Sequence, residues 1–380
     1  MQLTDSFGRT IDYLRVSLTD RCNLRCIYCM PEEGAPIAPK DTLLTDEELV
    51  RIMRIAVSLG MSKFRLTGGE PLVRPGVVKL TREIAALEGI QDLSLTTNAM
   101  LLGSLAGPLA DAGMMRLNIS LDTLKPERFQ LLARRGNLQQ VLDGIAASQK
   151  AGMQPIKINC VVMKGYNEDE LVDFAKLSLD SPLHIRFIEL MPINWSESTD
   201  TAAMQGFYSL SGASTGQNDR ITLYADIKDN KLNEAFRLPA LSDQKGMLNA
   251  VEMRRSFISM TEMRKAIESE LGVLTPASLL TNGPAQTFHL QGGVGTVGFI
   301  SQITQDMCKQ CNRLRLTADG FLRPCLMADG EVDLRTPIRE GASDEDIADL
   351  FRLTVHHKPL EHRLEDGLAP IGRNMSQLGG

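Results

Sequence analysis

A strand-like apolar run alternates with a helix-like segment six times in the first half of this 380-residue chain. The spacing predicts strands at 13–18, 63–67, 92–96, 115–121, 156–163 and 184–190, with helices between them at 45–59, 75–87, 101–112, 126–151 and 168–179. Several helices carry their own boundary signals. Thr45 with Glu48 three residues on has the pattern of a capping box, Gly60, Gly113 and Gly152 follow helix ends, and Pro126 suits a first turn. Strictly alternating βα units imply a parallel sheet with right-handed crossovers. Six units fall short of the eight of a closed barrel, so the expected fold is α/β: an incomplete, laterally open (β/α)6 barrel of TIM type.

Barrels of this kind gather their chemistry at the C-terminal ends of the strands. The distinctive residues follow that rule. Cys22, Cys26 and Cys29 come after the first strand, Gly68-Gly69-Glu70-Pro71 after the second, Thr96-Thr97-Asn98 at the third, Ser120 and Asp122 at the fourth, and Glu189 and Met191 at the sixth. A second cysteine set, Cys308, Cys311 and Cys325, lies near the other end of the chain. Three thiolates are one too few for a tetrahedral zinc site or for a cubane iron-sulfur cluster. A cubane on three cysteines leaves one iron for a ligand that is not protein. Structural zinc is the rival: the first set has no further cysteine or histidine in the next hundred residues, but His356, His357 or His362 could complete the second. Cys160, inside KINCVVM, reads as a buried small hydrophobe.

With 43% hydrophobic residues, no apolar stretch near eighteen and the polar start MQLTDSFGRT, the chain reads as a cytoplasmic protein with no membrane segment. A net charge of −6 argues against a nucleic-acid binder, so any polyphosphate would need a local set of cations. Gly293-Val-Gly295-Thr-Val-Gly298 matches a dinucleotide fingerprint, and Asp319 stands near the distance of a ribose-binding acid. The glycines lead into the β-like FISQIT instead of a helix, which excludes that use. No GxxxxGK[ST] phosphate loop occurs.

CNLRCIYC, followed about forty residues later by GGEP, resembles the radical S-adenosylmethionine superfamily. That resemblance implies a 4Fe-4S cluster whose open iron chelates the amino and carboxylate groups of S-adenosylmethionine; one electron then yields methionine and a 5′-deoxyadenosyl radical. YLRVSLTDRCNLRCIYCM, FRLTGGEPLVR, LTTN, LNISLDTL, RFIELMP, GTVGFIS, CNRLRLTADGFLRPCL and the terminal MSQLGG together resemble the GTP 3′,8-cyclase family, at the first step of molybdenum cofactor biosynthesis. This implies a second 4Fe-4S cluster, carried by a C-terminal α+β cap, whose open iron binds the guanine of GTP. The radical then takes hydrogen from C3′ of the ribose, and C3′ attacks C8.

By matched position, the resemblance assigns Cys22, Cys26, Cys29, Cys308, Cys311 and Cys325 to the clusters and Tyr28, Gly69, Ser120 and Met191 to S-adenosylmethionine. GTP contacts fall on Arg15, Arg65, Thr96, Lys157, Arg313, Leu314 and Arg315, with Arg186 a weaker candidate. Catalytic roles fall on Arg15, Arg313, Arg315 and the terminal Gly379 and Gly380, two residues small enough to enter a crowded cavity. The alternative for Arg65 and Arg186 is that they pair with Glu70 and Glu189 across the barrel. A reductant protein of flavodoxin or ferredoxin type, a homodimer and hand-over of product to a cyclic pyranopterin monophosphate synthase are further implications. Two other functions stay open: a radical enzyme for a peptide or another nucleotide, and a non-catalytic iron-sulfur electron carrier or redox sensor. GGEP speaks against the carrier, which has no need to chelate an amino acid.

The chain departs from the family pattern twice. Residues 196–255, rich in Ser, Thr, Asp, Asn and Gln, stand where a short connection is expected. They divide the chain into a barrel at 1–195, an insertion at 196–255 and a C-terminal domain at 256–380. Ala99 replaces the usual glycine after TTN, harmless if φ stays negative there.

Overall fold

The structure, a computed structural model, describes residues 2–34, 38–191, 236–237, 247–248, 250–277, 283–305, 307–328, 330–362, 373 and 375–379. Most of the 196–255 segment and Gly380 therefore lie outside the described residues. The six expected strands form as β1 Tyr13–Ser17, β2 Lys63–Thr67, β3 Asp92–Thr97, β4 Arg116–Ser120, β5 Ile156–Val162 and β6 Leu183–Glu189. They pair in sequence order, all parallel.

Each strand is two-faced. Leu14, Val16, Phe64, Leu66, Leu93, Leu95, Leu117, Ile119, Ile158, Ile185 and Phe187 point to one side, into the core shared with the helices. Each such side chain contributes about 1.5–3 kcal/mol by burial. The alternate positions, including Arg15, Arg65, Asn118, Lys157, Asn159 and Arg186, point to the other side, as the two-residue period of a strand requires. Parallel sheets covered on both faces are normally apolar on both. This one has a polar inner wall.

The helices α1 Asp46–Ser58, α2 Val77–Ala85, α3 Leu102–Asp111 and α6 Leu171–Asp180 fall where the sequence places them, and Thr45 and Glu48 close the capping box that starts α1. The segment expected as one helix at 126–151 is two, α4 Pro126–Ala133 and α5 Leu138–Lys150. Arg134 and Gly136 take positive φ values of 59° and 85°, and Asn137 caps α5 by accepting from the Gln139 amide. The break frees two carbonyls. Those of Leu132 and Ala133 accept from the Ile27 and Arg25 amides at 3.0 and 2.9 Å, so the end of α4 holds the first cysteine loop.

The remaining chain continues this sheet at both edges. Strand β10, Thr296–Ile300, lies parallel to β6, and β11, Arg313–Leu316, lies parallel to β1. Antiparallel strands extend them: β9 Gln286–His289 and β8 Thr275–Pro276 beyond β10, then β12 Phe321–Arg323, β13 Glu331–Asp333 and β7 Phe236–Arg237 beyond β11. Among the described residues the result is one 13-stranded sheet whose outer strands, β7 and β8, do not pair with each other, an open barrel as expected. Helix α7 Ala250–Arg255 ends the 196–255 segment, and helices α8 Met260–Leu271, α9 Arg335–Arg339, α10 Asp344–His356 and α11 Met375–Leu378 complete the α+β C-terminal part.

The glycines of the false fingerprint serve this edge. A Cβ on Gly295 would stand 2.1 Å from the Leu183 carbonyl oxygen and 2.7 Å from that of Ser181, just before β10 joins β6. Gly295→Ala is expected to cost about 1–3 kcal/mol through overpacking. Chemical denaturation should register it, and an unchanged midpoint would contradict this account.

Candidate active site

The hydrogen-bond ladder between β1 and β2 runs on past both strands. The amides of Leu18, Gly69 and Glu70 donate to the carbonyls of Thr67, Thr19 and Arg21, each at 2.8 Å. A Cβ on Gly69 would stand 2.3 Å from the Arg21 oxygen, and one on Gly68, where φ is 143°, 2.4 Å from that of Thr19. The paired glycines let the cysteine loop lie directly on the end of β2. Glu70 locks the next strand to them: its carboxylate accepts from Thr97 Oγ1 and the Asn98 amide at 2.7 Å and from the Leu72 amide at 3.0 Å. Burial raises its pKa to about 7. Asn98 then donates through Nδ2 to Asn23 Oδ1 at 2.7 Å, inside the cysteine loop. Ala99 has φ 64° and is fully buried, so the condition under which it is harmless does not hold. A left-handed alanine costs about 1–2 kcal/mol.

The mouth of the barrel is a cavity of about 220 Å³, far larger than a packing void. Cys22, Cys26, Cys29, Tyr28, Gly69, Thr96, Ser120 and Met191 line it, together with Arg15, Arg65, Arg186, Arg313 and Arg315. A smaller chamber adjoins it, lined by Cys308, Cys311 and Cys325. Arg313 and Arg315 belong to both walls. Of the three histidines that could complete a zinc site, only His362 lines the small chamber, with Nε2 bonded to the Gln302 carbonyl at 3.0 Å.

Electrostatics set Cys311 apart from the three thiols of the first set. Burial pushes Cys22 up to about 11 and Cys29 to about 12, and Cys26 also rises. Burial acts the same way on Cys311, but the Lys358 ammonium and Arg313 guanidinium outweigh it and lower that thiol. Lys358 is itself fixed by the Arg313 and Pro324 carbonyls at 2.8 and 2.7 Å.

Cations crowd the inner wall. Arg15 stands in register with Arg65 on one side and Arg315 on the other. Among the described residues, none of Arg15, Arg65, Lys157, Arg186, Arg313 and Arg315 forms an ion pair, and the Nε groups of Arg15 and Arg313 are buried without a partner. Burial, then repulsion from Arg315 and Arg65, lowers the Arg15 pKa. Burial with the neighbouring arginines brings Lys157 down to about 7. The pairing suggested for Arg186 with Glu189 does not occur. Its Nε and Nη2 donate to Asn159 Oδ1 and Asn118 Oδ1 at 2.8 and 2.7 Å, while Glu189 accepts from the amides of Met260, Ile303 and Thr304. Arg65 likewise avoids Glu70 and lies over the Tyr13 ring, which Arg313 also approaches.

The C-terminal tail enters this wall. Arg315 Nη1 donates to the Leu378 and Gly379 carbonyls at 3.3 and 3.1 Å. A Cβ on Gly379 would stand 2.6 Å from Ser17 Oγ. Two sequence candidates are placed differently from the rest: Leu314 turns its side chain into the apolar core, and Lys157 lies deeper than the cavity lining. The structure adds residues that sequence reasoning passed over: Tyr13, Asn118, Asn159, Lys358 and Ser376. Tyr13 and the asparagines were readable as polar side chains at inward positions of apolar strands. Lys358 and Ser376 carry no local signal.

The profile of the Radical SAM superfamily matches residues 16–178, and that of Molybdenum Cofactor Synthesis C matches residues 242–364. A GTP 3′,8-cyclase of Moorella thermoacetica is 44% identical over the full length of both chains, and one of Heliobacterium modesticaldum 42%. The chain belongs to the GTP 3′,8-cyclase family. Among solved structures, Streptococcus suis SuiB bound to S-adenosylmethionine shares the fold, with a TM-score of 0.50 at 14% identity over 94% of this chain and 68% of that one.

In this member of the GTP 3′,8-cyclase family the donor sets suit the iron-sulfur clusters of the superfamily. Each offers three soft thiols around one chamber, and the first loop fits its seat only because Gly69 lacks a Cβ. The unpaired cations are costly without an anion. Arg15→Met should therefore stabilise the substrate-free protein by about 1–3 kcal/mol, as apolar replacement of buried charge often does. Thermal unfolding measures this, and a lower midpoint would refute it.

Proposed function

We propose that this chain is a radical S-adenosylmethionine enzyme that converts GTP to (8S)-3′,8-cyclo-7,8-dihydroguanosine 5′-triphosphate, the first step of molybdenum cofactor biosynthesis. The observation that carries the reading is the shared wall: two cysteine sets open on adjoining chambers whose linings have Arg313 and Arg315 in common. When bound, the first cluster supplies the electron that cleaves S-adenosylmethionine to methionine and a 5′-deoxyadenosyl radical.

The protein binds, orients and shields. Cys22, Cys26 and Cys29 would hold the first cluster, and Tyr28, Gly69, Ser120 and Met191, which line the same cavity, would seat S-adenosylmethionine. Tyr28 is held for this by Asp122, which accepts its hydroxyl hydrogen at 2.8 Å and whose own pKa burial raises to about 6. Cys308, Cys311 and Cys325 would hold the second cluster, which would supply a coordination site for the guanine. Arg15, Arg65, Arg313 and Arg315, with Thr96, take the ribose and triphosphate, whose roughly four negative charges offset the repulsion among the arginines. Leu314 contributes through its backbone on β11. Gly379 closes the cavity beside Arg315, and the terminal Gly380 is assigned the same catalytic role by position in the sequence.

In domain terms, residues 1–195 provide the radical source and 256–380 the substrate cluster, with 196–255 inserted between them. Among the described residues no helix is long and apolar enough to cross a membrane; a cytoplasmic location is part of the proposal. A flavodoxin- or ferredoxin-type reductant, a homodimer and transfer of product to a cyclic pyranopterin monophosphate synthase complete the proposal.

Anaerobic reconstitution should give about eight irons per chain, as two cubanes require, and 5′-deoxyadenosine formation that depends on GTP and on no other nucleoside triphosphate. Four irons, or indifference to GTP, would sink the proposal. Cys325→Ala should keep uncoupled cleavage of S-adenosylmethionine and lose cyclisation.

A second expectation concerns pH. Lys157, brought to about 7 in the substrate-free protein, is mostly neutral at pH 8, and a bound polyanion raises its pKa. GTP binding should then take up a proton at pH 8, and affinity should fall as pH rises from 7 to 9. Calorimetry in buffers of different ionisation enthalpy measures the uptake; Lys157→Met should abolish it.

A further inference from the structure

The tail that brings Gly379 to Arg315 is tied down six residues earlier. Arg373 is buried, and two carboxylates share its guanidinium. Nη1 and Nη2 donate to Asp319 Oδ1 and Oδ2 at 3.1 and 3.0 Å, while Nε and Nη2 donate to Glu331 Oε2 and Oε1 at 2.7 and 2.9 Å. Both contacts are the two-point fork that only arginine can make. The group also lies over the Phe321 ring, 5.3 Å from its centre.

These partners tie the tail to the strands that carry the substrate wall. Asp319 is in the turn between β11 and β12, and Glu331 begins β13. Glu331 also accepts from Arg323 Nη1 at 3.2 Å, and Arg323 stands opposite Arg315 in the β11–β12 register. A connected path thus leads from Arg373 through Glu331 and Arg323 to the arginine that holds Gly379. Helix α11 has four residues, far too few to persist without tertiary anchors. One anchor is apolar: Leu378 and Met375 pack with Ile27, Leu132, Leu326 and Met327, between the two cysteine loops. The other is ionic.

We propose that Arg373 is the positioning residue of the C-terminal tail: its double fork to Asp319 and Glu331 fixes α11 so that Gly379 stays against Arg315. The inference rests on the reading that Gly379 and Gly380 act in the substrate chamber, but the anchor can be tested apart from it.

Hydrogen exchange followed by mass spectrometry on the full-length, reconstituted protein reads the tail directly. Arg373→Ala should speed exchange of the amides at 376–379 at least tenfold while leaving those of β2 to β4 unchanged. Arg373→Lys can serve only one carboxylate at a time and should give an intermediate rate. GTP-dependent turnover should fall in the same order, chiefly in kcat, with uncoupled cleavage of S-adenosylmethionine retained. Should Arg373→Ala disturb β11 to β13 as well, Asp319→Asn, which weakens one fork, decides: faster tail exchange supports the anchor. Wild-type tail exchange in both Arg373→Ala and Asp319→Asn would overturn the proposal. Faster tail exchange with unchanged turnover would uphold the anchor and remove the tail from the chemistry.

Discussion

The parallel pairing of β11 with β1 joins segments three hundred residues apart, and the site depends on it. Arg315 comes into register with Arg15, and Tyr13 with Arg313. Because Cys311 lies two residues before β11 and Cys325 two after β12, the same pairing brings the second cysteine set to the wall of the first. The arrangement is expensive. Burial and mutual repulsion both disfavour the charged form of these arginines, as the lowered pKa of Arg15 and of Arg65 records. The outer face of the same strands meets that cost, since every inward arginine is flanked by outward residues such as Leu14, Val16, Phe64, Leu314 and Leu316 in the apolar core. One alternation thus yields both a stable sheet and an unstable pocket, an instability that a bound polyanion would relieve.

The first cysteine loop shows how fold and chemistry share hydrogen bonds. It is held on one side by the end of β2, through backbone contacts that tolerate only glycine, and on the other by carbonyls released where α4 stops. A continuous helix at 126–151 would have consumed those carbonyls internally. The break, with Arg134 at positive φ, is part of the site.

Much of this was legible in the chain. Strand positions, the α1 capping box and the glycine stops are local properties, set by side-chain period and backbone sterics. The GGEP glycines and both cysteine sets were visible for the same reason. What escaped was non-local. The split at Arg134 depends on a partner loop a hundred residues away, and the positive φ of Ala99 on packing that fully buries it. The asparagines that take Arg186 away from Glu189 stand on β5, where register sets Asn159 opposite Arg186, and on β4, one strand further on.

By itself the sequence determined the six βα units, the open barrel, two three-cysteine sets and a family, because each is written in short spacing or fixed residue type. Only the tertiary structure decided that the C-terminal strands continue the barrel at both edges, that the two sets share a wall of arginines, and that Arg373 ties the tail beside Arg315. Those facts arise from strand pairing and buried charge between distant segments, and no local pattern encodes which edge a strand will join.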